Sequence, residues 1–487
     1  MQYRKILLTF YLIMLSTILP IYMKDGYYML GEEKWNIYMI ISAAIAGLII
    51  FAYISEFIEK GVEKSEIRNL FKVFLCLNLI NLAVSIDHKV SFWGLEGWRT
   101  GFITFILMMF FCFVYSEGIV INGYLLAAIF LTPFVIAILV IAERFGVNIL
   151  SVSGTDPSFL ACVGNINWYA GYLSIFVPLG IGFAVTRELF GKQFYFWSFY
   201  SVVVLMALFV QGSDSTLLTL IGTYGLLIWY CLYEKERLQA LMIQLFVLGL
   251  AMFEVKILLG IFPGKYTYSD NILIKICDMN GGIFFMTVGL LLYMIVSLSK
   301  ESEESSLRGE KYRKIYKTFV CIIATLGLAY VIVRFDDLAG NGRGTIWRIT
   351  LDMYKELPSF RKVVGVGRDC FSAYAYSKPV RAELLINEFG ENRLTNAHSI
   401  FLTELIEGGL AGLVGMLFIA FYVLASLKKC DKEKGPAAII CALPIVSYYL
   451  NGMVSFSQVL STPYAFICLG LGLYIANSGE SQVGNGD

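Results

Sequence analysis

Histidine is nearly missing from this sequence: His88 and His398 are the only two among 487 residues. The ten cysteines stand singly, mostly inside apolar segments, with no C-x-x-C pair and no Cys/His metal spacing. They read as small hydrophobes, and a metal centre is not expected. No Gly-x-x-x-x-Gly-Lys phosphate loop occurs, which argues against direct use of ATP. Charge is scarce, at 15% of residues, and the net value of +1 says nothing about partners until it is divided between two sides of the molecule. The first apolar stretch ends at Pro20-Ile21-Tyr22 and Lys24 without a small-residue cleavage site. It is therefore expected to be an uncleaved span and not a signal peptide.

What the chain has in abundance is apolar surface. Hydrophobic residues make up 58% and mean hydropathy is +0.70, more than one soluble core can bury. The apolar runs are about 17 to 25 residues long, which matches the ~20-residue helix needed to cross ~30 Å of hydrocarbon and leaves no room for the short alternating strands of a barrel. The expected fold is all-α, a polytopic transmembrane helical bundle of about fourteen spans, or about eleven at the fewest, with one large extracytoplasmic loop between late helices. The spans fall roughly at 6–23, 36–57, 69–85, 101–119, 122–142, 167–186, 194–211, 215–233, 238–256, 281–299, 316–334, 399–427, 437–455 and 462–477. The chain then divides into a bundle over residues 1–334, a loop domain over 335–397 and C-terminal spans over 398–487.

Orientation follows from Lys and Arg in the short loops. Arg4 and Lys5; Lys60, Lys64, Arg68 and Lys72; Arg187 and Lys192; Lys235 and Arg237; Lys300, Arg308, Lys311, Arg313 and Lys314; and Lys428, Lys429, Lys432 and Lys434 share one side. That side is expected to be cytoplasmic. The opposite side is poor in positive charge, although Lys24, Lys34, Lys89 and Arg99 fall there.

Residues 335–397 fall on the outer side and break the pattern, because they hold Arg343, Arg348, Arg361, Arg368, Arg381 and Arg393. Long loops translocate regardless of charge, so these arginines are either the solvated surface of a loop domain or an anion site. Arg suits the second task, since its planar fork stays charged and holds phosphate oxygens in pairs. His398 follows Thr395 and Asn396, both acceptable capping residues, and precedes an apolar run, which puts it at the start of a membrane helix. It is either a satisfied interfacial polar residue or a base that takes a proton from a hydroxyl while arginines hold a departing phosphate. Along that helix Glu404, Gly408 and Gly412 share one face; the glycines permit close packing, and Glu404 needs a partner or water. Asp336 with Asp337, and Asp87 with His88, read more simply as loop residues than as metal ligands.

Taken together, these motifs resemble a family. Gly342-Arg343-Gly344-Thr345-Ile346-Trp347, then Val364-Gly365-Val366-Gly367, then Ala397-His398-Ser399, then Glu404 through Gly412 are similar to the signature of the O-antigen ligase and O-antigen polymerase superfamily. Gly164-Asn165-Ile166-Asn167-Trp168 and Trp98-Arg99-Thr100-Gly101 resemble two further stretches of its pattern. The resemblance implies a metal-independent, inverting GT-C-like glycosyltransferase without cofactor. Such an enzyme moves a glycan from an undecaprenyl-diphosphate carrier to an acceptor hydroxyl, on a glycan or lipid-linked acceptor, at the outer face of a bacterial cytoplasmic membrane.

The family's essential His falls on His398 and its loop Arg on Arg343. Arg348, Arg368 or Arg99 assist with the diphosphate, and Trp347, Gly365, Gly367, Glu404 and Asn165 support the site. The expected partners are that lipid-linked glycan, the acceptor and membrane lipid, with no nucleic acid. The chain departs from the pattern at Gly212-Ser213-Asp214-Ser215, where the family carries Ser-Arg-Gly, at Ser399 in place of Asn and at Ile166 in place of Pro. A transporter of lipid-linked oligosaccharide is the alternative; it calls for charges inside several spans and two related halves, and no internal repeat is visible.

Overall fold

Apolar runs of this length can satisfy their backbone groups inside a bilayer only by closing helical hydrogen bonds, and every run named above is helical in the computed structural model. The structure describes residues 2–60, 66–152, 157–266, 268, 271–299, 305–333, 339–390, 393–430 and 433–478. Lys64, Lys300, Asp336, Asp337 and Lys432, together with the side chains of Lys60, Arg68 and Arg308, lie outside the described residues. Among the described residues nine helices are long and apolar enough to cross a membrane. Four shorter apolar helices, Asn69–Ala83, Phe102–Tyr115, Thr216–Cys231 and Thr462–Asn477, account for further expected spans. The protein is a multi-pass membrane protein.

The chain forms two compact units that are discontinuous in sequence, unlike the three consecutive segments expected. One comprises Met1–Ile129, Asp336–Asp431 and Gly452–Asp487; the other comprises Phe130–Phe335 and Lys432–Asn451. In the second unit the Ile166–Val185 helix is the most enclosed, with Tyr169, Tyr172 and Phe176 fully buried. Among the described residues the regular structure is helical except for one antiparallel pair of two-residue strands there, Phe159–Leu160 with Gly164–Asn165, a small correction to the all-α expectation. In the first unit Tyr11 stacks on Phe111 at 3.7 Å, and Tyr115 and Tyr464 donate to the Leu8 and Leu15 carbonyls at 2.7 and 2.8 Å.

The polar segment expected as a loop is largely helical. Ala339–Glu356, Ser359–Val364, Phe371–Ala375 and Pro379–Phe389 follow one another. They are separated by Pro358, which disfavours helix in the residue before it, by Gly365 at φ +81°, and by the extended Lys378 before Pro379 at a helix start. Ile346, Met353, Leu357, Phe371, Leu385 and Leu394 enclose a core that also takes in Ile406.

The run expected as one helix over 399–427 is two. Ile400–Glu407 ends at Gly408, and Gly409, at φ +65°, turns the chain into Gly409–Lys428. The reason is a crossing strand of backbone: Val366 N–H donates to the Ile406 carbonyl at 3.0 Å and Gly367 N–H to the Glu407 carbonyl at 3.1 Å. Carbonyls left over at the helix end are thereby satisfied from outside.

Candidate active site

The site is built on the joint between Ile400–Glu407 and the segment before it. Ser399 is the helix cap, its hydroxyl accepting from Leu402 N–H at 3.5 Å, so the cap is not the Thr395 or Asn396 expected. Asn396 instead accepts the His398 N–H through its side-chain oxygen at 2.9 Å, and Ala397 N–H donates to Thr403 Oγ1 at 3.0 Å. These tethers hold His398 in the left-handed region at φ +47°, a conformation uncommon outside glycine that costs of order 1–3 kcal/mol and gathers at functional sites.

The imidazole packs edge-to-face on Phe456 at 5.6 Å, and among the described residues neither ring nitrogen has a hydrogen-bond partner. Burial, and then the nearby Arg343 guanidinium, push its pKa down to about 4. At neutral pH the ring is uncharged, with a lone pair on one nitrogen. Arg343 reaches this position because Ile346, Thr350 and Met353, spaced i, i+4 and i+7, are buried in the Ala339–Glu356 helix. Arg343 and Trp347, half-buried, flank that stripe. Arg348 is exposed, about 140° round the helix from Arg343, so it is not on the side that meets His398.

Arg368, Arg99 and Arg381 have carboxylate and carbonyl or amide partners. Arg368 is buried, ion-paired with Glu404, donates from Nε to Asn78 Oδ1 at 3.1 Å and lies over Phe105 at 3.9 Å. Arg99 Nε meets both Glu32 oxygens, at 2.8 and 3.0 Å, and its guanidinium lies over Trp35 at 5.2 Å. Arg381 pairs with Glu356 at 2.6 Å and donates to the Ala375 and Tyr374 carbonyls. These groups hold the fold together. Glu404 does share a face with Gly408 and Gly412, but a Cβ on either glycine would strike its carboxylate. The glycines make room for the buried ion pair, which corrects the helix-packing role expected of them.

Gly365 and Gly367 belong to the crossing strand. A Cβ on Gly365 would meet the Glu407 carbonyl, and one on Gly367, at φ +114°, the Ser85 side chain. Asn81 Nδ2 ties the crossing down by donating to the Val364 and Glu407 carbonyls at 2.6 and 2.8 Å.

Two residues escaped the sequence reading. Asp369, at φ +55°, accepts from Leu95 N–H at 2.6 Å and Thr100 N–H at 3.0 Å, fixing the loop that bears Trp98 and Arg99; burial raises its pKa to about 6. Phe456 was missed as well, and Asn396, expected as a cap, holds the His398 N–H instead. The one available signal for Phe456 was a polar break, Ser455-Phe456-Ser457-Gln458, between apolar runs. Asp87 proves to cap the His88–Trp93 helix.

Asn165 lies in the second unit, where it caps Ile166–Val185 by accepting from Asn167 N–H at 2.8 Å. Asn167 Oδ1 accepts from Ser213 at 3.0 Å, and Asp214 accepts from Ile272 N–H at 3.0 Å. The guanidinium at this departing loop comes from Arg144, which donates to the Gln211 and Pro157 carbonyls and lies over Tyr268 at 4.9 Å.

Residues 199–417 match the O-antigen ligase family. The match supports the superfamily resemblance carried by the motifs. It spans Arg343, the Gly365–Gly367 crossing, His398 and the Glu404–Gly412 break, and it leaves out Arg99 and Asn165. No curated protein matches the chain. Members of the O-antigen ligase family act on glycans as ligases or polymerases, and that coarse activity is the one supported here.

Proposed function

We propose that this protein is a membrane glycosyltransferase that moves a glycan from an undecaprenyl-diphosphate carrier to an acceptor sugar hydroxyl, at the outer face of a bacterial cytoplasmic membrane. The observation that carries the reading is the neutral, half-buried His398 imidazole beside Arg343, with its ring nitrogens open to a ligand. The acceptor oxygen attacks the anomeric carbon from the face opposite the diphosphate. A new C–O bond forms, the bond to the phosphate oxygen breaks with inversion, and the hydroxyl proton passes to the imidazole. Arg343 offsets the charge that gathers on the departing diphosphate. Arg99 and Arg368, held by Glu32 and Glu404, position the surrounding backbone, and Arg348 stays at the surface. The scheme draws its base and its cation from side chains and includes no metal step.

The O-antigen ligase match supports the reaction class, and the Lys and Arg distribution supports the outer-face placement. Replacing His398 with Ala is expected to reduce transfer by about 10²–10⁴-fold while the protein stays in the membrane. Polymer or ligated glycan of normal chain length in cells carrying only that variant would end the proposal.

A further inference from the structure

We infer that Trp98 is a stacking face for a sugar ring of the acceptor glycan. The inference rests on the transfer reading above and deepens it. His398 has two kinds of neighbour that matter to substrate: the Arg343 cation on one helix, and an aromatic pair reached through Phe456. Phe456 sits edge-to-face with the imidazole at 5.6 Å and with Trp98 at 4.7 Å. Phe456 is buried, whereas Trp98 is half-buried, so Trp98 is the more exposed member of the pair.

With the donor's phosphates assigned to Arg343, the aromatic side is left to the acceptor. The charge there suits a neutral ring, because the adjacent Arg99 is compensated by Glu32. An indole presents a broad apolar face, and a pyranose presents a face of C–H groups; the pair gains contact without any charge.

The loop that carries Trp98 is fixed more firmly than a simple turn requires. Asp369 takes the N–H groups of Leu95 and Thr100, and Glu32 Oε1 takes the Gly97 N–H at 2.6 Å. Trp98 N–H donates to the Leu95 carbonyl at 3.1 Å, and Thr104 Oγ1 to the Arg99 carbonyl at 2.7 Å. Arg99 is itself left-handed at φ +51°. A buried and a half-buried carboxylate and an unfavourable backbone conformation spent on one loop are the marks of a side chain held ready in place.

The probe is the oligosaccharide released by mild acid, and freed of phosphate, from the lipid extract of cells lacking this protein. Binding is measured on the full chain in detergent with His398→Ala as the common background, so that turnover does not intervene. Adding Trp98→Ala is expected to weaken binding about tenfold, and Trp98→Phe no more than about threefold; binding of glycan-free undecaprenyl diphosphate is unchanged by either. The inference is overturned if Trp98→Ala binds the oligosaccharide as tightly as the background, if Phe is no better than Ala, if the glycan-free diphosphate is lost in parallel, or if the background binds no oligosaccharide. Failure of the transfer reading shows separately, as undiminished transfer by the single His398→Ala protein with intact substrates.

Discussion

At the scale of single residues, His398 carries the strongest expectation. Its imidazole has a folded-state pKa near 4 against an ordinary 6.5, so it is deprotonated throughout the neutral range and begins to charge only in acid. The acid limb of kcat/KM, which reports the free enzyme, should have its midpoint near pH 4, and Arg343→Ala should move that midpoint upward, because one of the two causes of the depression is gone. A midpoint at 6.5 in the unmodified protein would contradict the buried, cation-flanked environment. Asp369 gives a second expectation. Its folded pKa, about 6, is raised by burial, so its ionised form is disfavoured and stability rises as pH falls through 6 toward the unfolded value. Asp369→Asn keeps an oxygen for Leu95 N–H and Thr100 N–H and should match or exceed the parent's melting temperature at pH 7. Asp369→Ala strands both donors and should cost about 1–3 kcal/mol in thermal unfolding. His398 was legible in the sequence because a lone imidazole before an apolar run stands out. Asp369 was not, since nothing in the string Gly367-Arg368-Asp369-Cys370 says that its carboxylate closes on a loop some 270 positions earlier.

Among elements, the crossing of residues 364–367 over the Glu407–Gly409 break decides the geometry. Gly365 has φ +81° and ψ −169°, a region that only glycine occupies without strain, and a Cβ added there would strike the Glu407 carbonyl. Gly365→Ala should therefore lower stability by at least ~2 kcal/mol and lower transfer with it, whereas alanine at Gly47, a helical glycine with open space around it, should do neither; melting curves of the two purified variants compare them directly. The apolar runs were readable because hydropathy is a local property. The break was not, because the run from Ile400 to Lys428 is apolar on both sides of Gly408, and what turns it is hydrogen bonding from Val366 and Gly367, distant in sequence. The arginine partners were hidden for a similar reason: clustering in sequence suggested one anion site and gave no sign that Arg368, Arg99 and Arg381 pair with Glu404, Glu32 and Glu356.

For the molecule as a whole, the sign of each loop remains the guide. Cysteine-labelling from outside intact cells should reach a cysteine placed at Gly390 and not one placed at Lys434; the reverse pattern would put the His398 site in the cytosol and remove the proposed reaction. Most of the apolar helices could be read from composition alone. The assembly of residues 1–129 with 336–431 and 452–487 could not, since it depends on contacts such as Asn81 with Val364, Asp369 with Leu95 and Phe456 with His398. Those same long-range ties govern where chain length can vary. Each residue of the crossing has its backbone committed to a fixed neighbour, so a single inserted residue between Val364 and Asp369 would put every later partner out of register, whereas Gly390, exposed and uncrowded, offers a place where extra chain is absorbed. Diversification for new glycans has room to lengthen the outer segment there, and has to leave the crossing at its present length.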